Sequence, residues 1–174
     1  MPWKIDPFHT LAEFSVWHLM INLVKGRFKE VRGMLHLDFH HPENSWVKAE
    51  VNTASIDTGV AARDGHLRSA DFFEVAKYPT ISFTSTSFKQ TGERSGVATG
   101  ELALHGVTRT VSFQIELTGY AQDTETKNWR IGLLAVTVLD RRVFNMNYGQ
   151  SVAEGIAFIG NEVRIELRIE AVQM

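Results

Sequence analysis

The dominant pattern along the chain is alternation with a period of two. Residues 163–171 read Val-Arg-Ile-Glu-Leu-Arg-Ile-Glu-Ala, apolar and charged side chains in strict turn. Successive side chains of an extended chain point to opposite sides, so this run is a strand with one apolar and one wet face. A helix would scatter the same apolar residues around its circumference. Val111-Ser112-Phe113-Gln114-Ile115-Glu116-Leu117 repeats the pattern, as do residues 47–51 and residues 31–39 through Gly33, Leu35 and Leu37. Weaker runs at 11–19, 80–88, 97–104 and 129–139 bring the total to about eight strands.

The connections favour antiparallel neighbours. His105-Gly106-Val107-Thr108-Arg109 reads as a tight glycine-containing hairpin, and residues 40–45 and 122–128 are short and polar. The long helical crossovers that parallel sheets need are missing. Residues 57–76 break the alternation. Asp57 or Thr58 is placed to cap a first short helix and Ser69 a second, and Pro79 stops any helix before the strand that begins near Thr80. Residues 141–160 form a second irregular piece. Runs of nine or ten residues span ~30 Å, which is long for a small sandwich and suits an eight-stranded up-and-down barrel. The expectation is an all-β fold, one antiparallel barrel over residues 1–174, with short helices. The expected inner faces mix large and small residues: Val47, Ala49 and Val51; Ala98 and Gly100; Val31, Gly33 and Leu35. Small residues there leave volume along the axis. An interior filled by side chains and an interior that holds one small ligand are both consistent with the pattern.

Composition narrows the classes. Hydrophobic residues are 44% and charged residues 22%, which excludes a wholly disordered chain. A net charge of −2 gives no reason for a polyanion to bind, so no nucleic-acid partner is expected. The absence of cysteine removes disulfides, thiol nucleophiles and cysteine metal sites. Met1-Pro2-Trp3-Lys4-Ile5-Asp6-Pro7 has no basic stretch followed by an apolar run, and no segment is long and apolar enough to span a bilayer. A cytoplasmic location without a membrane span is therefore the expectation.

Candidate chemistry is sparse. His9 beside Asp6 is a base–orienter pair or simply part of the Asp6-Pro7 turn. His18 is in phase with Phe14 and Val16 and is placed to point inward. His36, His40 and His41 suggest at most a surface site, because adjacent residues of an extended chain point apart, and no metal is expected. His-Glu-x-x-His and Gly-x-Ser-x-Gly are both absent. Arg63, His66 and Arg68 could grip a polar or phosphorylated head group, or form a solvated helix face with Asp64 and Arg68 one turn apart. Arg141 and Arg142 offer the same chemistry. Phe72, Phe73, Trp17 and Trp46 are candidates to line a pocket, to seal a homodimer or simply to fill the core.

Taken in order, these pieces resemble the YceI-like family of polyisoprenoid-binding proteins. Trp3-x-x-Asp6-Pro7-x-His9-Thr10 is similar to the family's opening, followed by Phe14-x-Val16-x-His18-Leu19 and Gly26-x-Phe28. The most specific block runs from Ser55-Ile56-Asp57-Thr58-Gly59 through Arg63-Asp64-Gly65-His66-Leu67-Arg68-Ser69-Ala70-Asp71-Phe72-Phe73 to Tyr78-Pro79-x-Ile81-x-Phe83. Gly100-x-Leu102-x-Leu104-His105-Gly106-Val107-Thr108 follows. Two positions depart. Met20 stands in a region where the family often has glycine. Arg141-Arg142-Val143-Phe144-Asn145 has Val143 in place of an acid, although Asn145 can still adopt left-handed backbone.

The resemblance implies a lipocalin-like barrel with its short helices near one mouth. It implies a long-chain amphiphile as ligand: a polyisoprenoid, a quinone precursor or a fatty-acid derivative, bound for sequestration or transport, with no catalytic activity and no cofactor. Burying ~10 methylenes at ~0.8 kcal/mol each supplies ~8 kcal/mol, a micromolar affinity before ordering costs. The expected binding residues are Phe14, Val16, His18, Ala49, Val51, Phe72, Phe83, Phe113, Ile115, Ile165 and Leu167 along the chain of the ligand. Arg63, His66, Arg68 and Arg141 are expected at its head group. The alternatives are an enzyme working on a lipidic substrate through His9, His18 or His66, and a filled barrel that works through its outer face.

Overall fold

The computed structural model describes residues 1–150 and 158–174; positions 151–157, part of the irregular piece expected at 141–160, lie outside the described residues. The strands are β1 (Pro2–Ile5), β2 (Leu11–His18), β3 (Asn22–Phe28), β4 (Val31–His36), β5 (Trp46–Asn52) and β6 (Ile56–Asp57), then helix α1 (Ala61–Arg68). After the helix come β7 (Thr80–Gln90), β8 (Ser95–Leu104), β9 (Val107–Gln122), β10 (Trp129–Asp140) and β11 (Ile159–Gln173). Every pairing is antiparallel.

The strand segments form a closed eight-stranded barrel. β11 pairs with β2 through Ile165 opposite Phe14, and with β1 through Ala171 opposite Ile5. β1 and β2 are therefore two parts of one wall strand, interrupted at residues 6–10. β3 lies on β2 and β4 on β1, so they form the next wall strand in the same way. The two composite strands join β5, β7, β8, β9, β10 and β11 around the ring. The sequence pattern missed β1, which is short and begins with proline, and β3. In β3 the inward set Val24, Gly26 and Phe28 is in phase, but a glycine replaces its central apolar residue. The Phe14 ring covers that gap: a Cβ at Gly26 would collide with it. The two residues are cross-strand partners.

Three expectations are corrected. The first is that Gly33 and Gly100 leave empty volume inside. A Cβ on Gly100 would strike the Thr84 carbonyl, and one on Gly33 the Lys48 carbonyl. These glycines let neighbouring strands approach, at Gly100 beside a bulge between Ser85 and Ser87 that bends β7. The second is the helix after Ser69. That residue instead closes α1, its N–H and Oγ both donating to the His66 carbonyl at 3.0 and 2.6 Å. The third is the cap: neither Asp57 nor Thr58 caps α1, whose N-cap is Val60. The buried Asp64 carboxylate ties the helix back to the preceding loop by accepting from the Thr58 N–H and hydroxyl at 2.8 and 2.5 Å.

Turn chemistry follows the sequence. His105 and Gly106 both hold left-handed backbone, at φ 53° and 73°, and make the two-residue hairpin between β8 and β9. Asn145 is left-handed as well, at φ 58°. Inward side chains fill one end of the barrel around Trp3, Ile5, Leu35, Ile131 and Ala171. The other end is less tightly filled, and α1 lies across it. Among the described residues no helix is long and apolar enough to cross a membrane.

Candidate functional site

Among the described residues, the inward side chains of the barrel border hollows that share walls in series. The central one, about 170 Å³, is bounded by Ala49, Val51, Ile81, Phe83, Leu102, Phe113, Ile165 and Leu167, and roofed by Leu67, Phe72, Phe73 and Phe144. An apolar cavity of ~150 Å³ stays dry and takes up a benzene-sized guest, so this hollow has the size and chemistry to hold hydrocarbon. Towards the mouth it meets a cavity of about 490 Å³ across Phe14, Val16, Leu67, Phe72 and Ile159. Below it lies a hollow of about 80 Å³, reached past Ala49, Phe83, Phe113 and Leu167. Phe83 and Phe113 meet edge to face there, 5.0 Å between centroids. A last hollow of about 70 Å³ shares Leu37, Phe88, Ile115 and Leu133 with it and reaches Asp38, Glu93 and Arg94.

Polar groups gather at the mouth, where His18, Asn22, Thr58, Arg63, His66 and Tyr148 line the wide cavity. The Arg63 guanidinium donates through Nε to the Thr58 hydroxyl at 2.7 Å and through Nη2 to the Thr58 carbonyl at 2.8 Å. No carboxylate among the described residues forms an ion pair with it. His66 Nε2 bonds Asp71 at 2.7 Å, and its ring meets Phe72 and Tyr148 edge-on. His18 meets Phe158 in the same way.

The structure places the expected site residues unequally. Phe14, Val16, Val51, Phe72 and Ile165 line the upper and central hollows; Ala49, Phe83, Phe113 and Leu167 border the central and lower ones; Ile115 lies lower still. His18, Arg63 and His66 share the mouth. Arg68 lines none of these hollows and donates to the Ala54 and Ile56 carbonyls at 3.0 and 2.9 Å. Arg141 borders the central hollow but is only 5% exposed, and its guanidinium donates to the carbonyls of Met146, Tyr148, Ile159 and Gly160. Burial pushes its pKa down, with no acid at hand to replace the lost water apart from the neighbouring Asp140. Arg141 braces the backbone with Nε, Nη1 and Nη2 all engaged, and Arg68 braces it from a place away from the hollows. Arg142 pairs with Asp140 at 2.6 Å on the surface.

The remaining histidines lie apart from the lumen. His9 sits outside the wall, its Nδ1 2.9 Å from Asp6, and lines none of these hollows. Partial burial opposes charge on Asp6, but donors from His9, Arg130 and the Phe8 N–H outweigh it and hold the carboxyl at about 2. The same contact raises the His9 pKa. Asp6, His9 and Glu170 bring three metal-ligating groups together. Arg130 Nη1 already donates to Asp6 at 2.8 Å and Glu170 at 2.6 Å, so a cation is built into the cluster. His36 donates to the Met1 carbonyl and His41 faces Glu43.

Sequence reading missed several lining residues. Ile81, Leu102, Leu104 and Leu139 are in phase with residues that it found, so parity was the available signal. Phe144, Met146 and Tyr148 alternate with Asn145 and Asn147, a short period of two inside the piece read as irregular, so parity was the signal there as well.

Comparison with known proteins gives a consistent picture. The chain is 39% identical over 138 residues to a UPF0312 protein of Ectopseudomonas mendocina, covering 79% of this chain and 72% of the relative. It is 37% identical over 149 residues to a UPF0312 protein of Pseudomonas putida, covering 83% and 76%. Among solved structures, Burkholderia cenocepacia BcnA superposes with a TM-score of 0.83 at 19% identity, over 95% of this chain and 98% of that one. A polyisoprenoid binding domain from Saccharophagus degradans, implicated in plant cell wall breakdown, does so with 0.74 at 16%, over 99% and 98%. These two likenesses show a shared fold. The model of the YceI-like domain matches residues 3–171, and the chain therefore belongs to the YceI-like family.

Proposed function

We propose that this protein binds one long-chain amphiphile, with its hydrocarbon chain in the lumen and its head group at the mouth, for sequestration or transport. The observation that carries this reading is the apolar central hollow that continues into a wide mouth cavity lined by His18, Asn22, Arg63, His66 and Tyr148. Such a passage selects by length and width along the chain and by charge at the rim. A polyisoprenoid, a quinone precursor or a fatty-acid derivative fits that description. The Saccharophagus degradans neighbour, described as polyisoprenoid binding, supports the same ligand class. At the rim, the spare donors of Arg63, with His18 and His66 beside it, favour an anionic head group. Arg68 and Arg141 are left out of that role.

Ala49 lies on the shared wall of the central and lower hollows and decides the test. Ala49→Trp fills the passage. The expected result is loss of ligand, read by mass spectrometry of organic extracts, while the delipidated variant keeps wild-type unfolding free energy within ~1 kcal/mol. A barrel packed to normal density would instead lose ~1–3 kcal/mol or more from overfilling. That outcome, with no lipid in the wild-type extract, overturns the reading.

A further inference from the structure

The rim carries exposed apolar side chains at the β2–β3 hairpin; of these Trp17 also borders the wide mouth cavity. β2 and β3 join through Leu19-Met20-Ile21, and Leu19 and Met20 hold left-handed backbone at φ 51° and 57°. Long side chains seldom adopt that region. The turn leaves Met20 56% and Ile21 78% exposed. Behind the tip, Trp17 and Leu23 face each other across the strands on the outward side, 43% and 38% exposed. The next outward row holds Lys25, opposite Ser15, with Arg164 on the far side of Ser15. From tip to wall the order is apolar, aromatic, cationic.

Acidic groups also face this region. Glu13 lies opposite Arg27, and Asp57 pairs with Arg27 and Lys29. Glu166 lies 3.6 Å from Arg164, and Glu162 stands on β11 near the rim. Lys25 forms no ion pair among the described residues and stands nearest the tip.

We propose that this hairpin tip docks the mouth of the barrel on an anionic lipid bilayer. Met20 and Ile21 enter the boundary between head groups and acyl chains, Trp17 sits at head-group level, and Lys25 and Arg164 meet lipid phosphates. A second copy of the chain is a poor occupant. A convex tip of three residues offers far less than the ~800 Å² per partner that stable protein interfaces bury, whereas a bilayer accommodates a convex apolar tip. The docking rests on the outer face of the hairpin and needs no lumen ligand. If the amphiphile reading above also holds, the ligand passes between bilayer and lumen without crossing water.

The test uses the delipidated full-length chain with vesicles of phosphatidylcholine alone and of an equimolar mixture with phosphatidylglycerol. The chain has no cysteine, so Ile21→Cys supplies a single thiol for a polarity-sensitive dye. We expect co-flotation with the anionic vesicles, weakened by salt, and a blue shift of the dye at position 21. Dye on Thr124→Cys, in the distant β9–β10 turn, stays unshifted. The combined Met20→Ser and Ile21→Ser changes lower vesicle partition about tenfold or more at an unchanged melting temperature. Lys25→Glu lowers binding to the anionic vesicles alone. Absence of co-flotation, an unshifted dye at position 21, or full binding by the double serine variant overturns the proposal. A dimer that the double variant abolishes, without vesicle binding by the wild type, assigns the tip to a second copy and overturns it as well. Ala49→Trp separates the two readings, since blocking the lumen leaves vesicle binding intact.

Discussion

Arg130 shows how single residues hold this barrel together. Its guanidinium joins Asp6, Asp123 and Glu170, which come from three different parts of the wall, at 2.8, 3.1 and 2.6 Å. The Asp6 carboxyl falls from its ordinary 3.8 to about 2 in this setting. A depressed acid stabilises the fold above its unfolded value and loses that contribution as pH falls through the folded one. The melting temperature should therefore decline between about pH 4 and pH 2. Asp6→Asn should weaken that acid limb and cost ~1–2 kcal/mol at neutral pH. An unchanged limb in the variant would move the effect to Asp123, which backbone N–H donors from Thr126 and Glu125 also hold at about 2. His9 acts with the opposite sign: its raised pKa adds stability below 6.5 that is lost as pH rises through the folded value. Arg141 is the buried counterpart. Arg141→Met orphans carbonyls of Met146, Tyr148, Ile159 and Gly160 and should cost ~2–4 kcal/mol, read by denaturant unfolding.

At the scale of elements, β7 and β9 divide the lumen by setting Phe83 against Phe113. Both rings border the central and the lower hollow, so they and Leu167 fix how deep a chain descends. Phe113→Ala should merge the two spaces and shift preference towards longer chains across a series of fatty acids or polyprenyl alcohols. The empty variant should lose ~3–5 kcal/mol, because a large buried ring is removed. An unchanged length preference would place the floor of the site elsewhere. β9 and β11 were the most legible elements, since each alternates over many residues and one slip would turn every apolar side chain into water. α1 was less so. Its existence was visible as a break in alternation, but its cap was not, because Asp64 reaches back to Thr58 from within the helix instead of preceding it. Ser69 is as suitable for starting a helix as for ending one, and only the Leu67 and Arg68 carbonyls, which accept from the Phe73 and Val75 N–H groups, show that the chain turns away there.

On the scale of the whole molecule, the wall strands close into a ring, and protection should be greatest where ladders are longest. Amide hydrogen exchange should be slowest along the β10–β11 and β8–β9 ladders and faster in α1 and around β6, which pairs with β3 through only two residue pairs. Uniform exchange across the barrel would contradict that order. The sequence alone specified antiparallel strands, the inward side of each alternating run, and the tight turn at His105-Gly106. These follow from a period of two and from backbone preferences, which act between near neighbours. It also carried the family's ordered motifs. Tertiary structure alone decided the rest. Ring closure made one wall strand from Pro2–Ile5 and Leu11–His18, because both lie along the same edge of β11. It brought Phe144 and Met146 over the lumen from a segment outside the strands. It also separated arginines that look alike in the sequence. Arg63, tied to Thr58, lines the mouth, while Arg68, tied to Ala54 and Ile56, lines no hollow, and Arg141 is fully engaged by carbonyls of Met146, Tyr148, Ile159 and Gly160. Which donors remain free depends on contacts distant in sequence, and no local pattern encodes those.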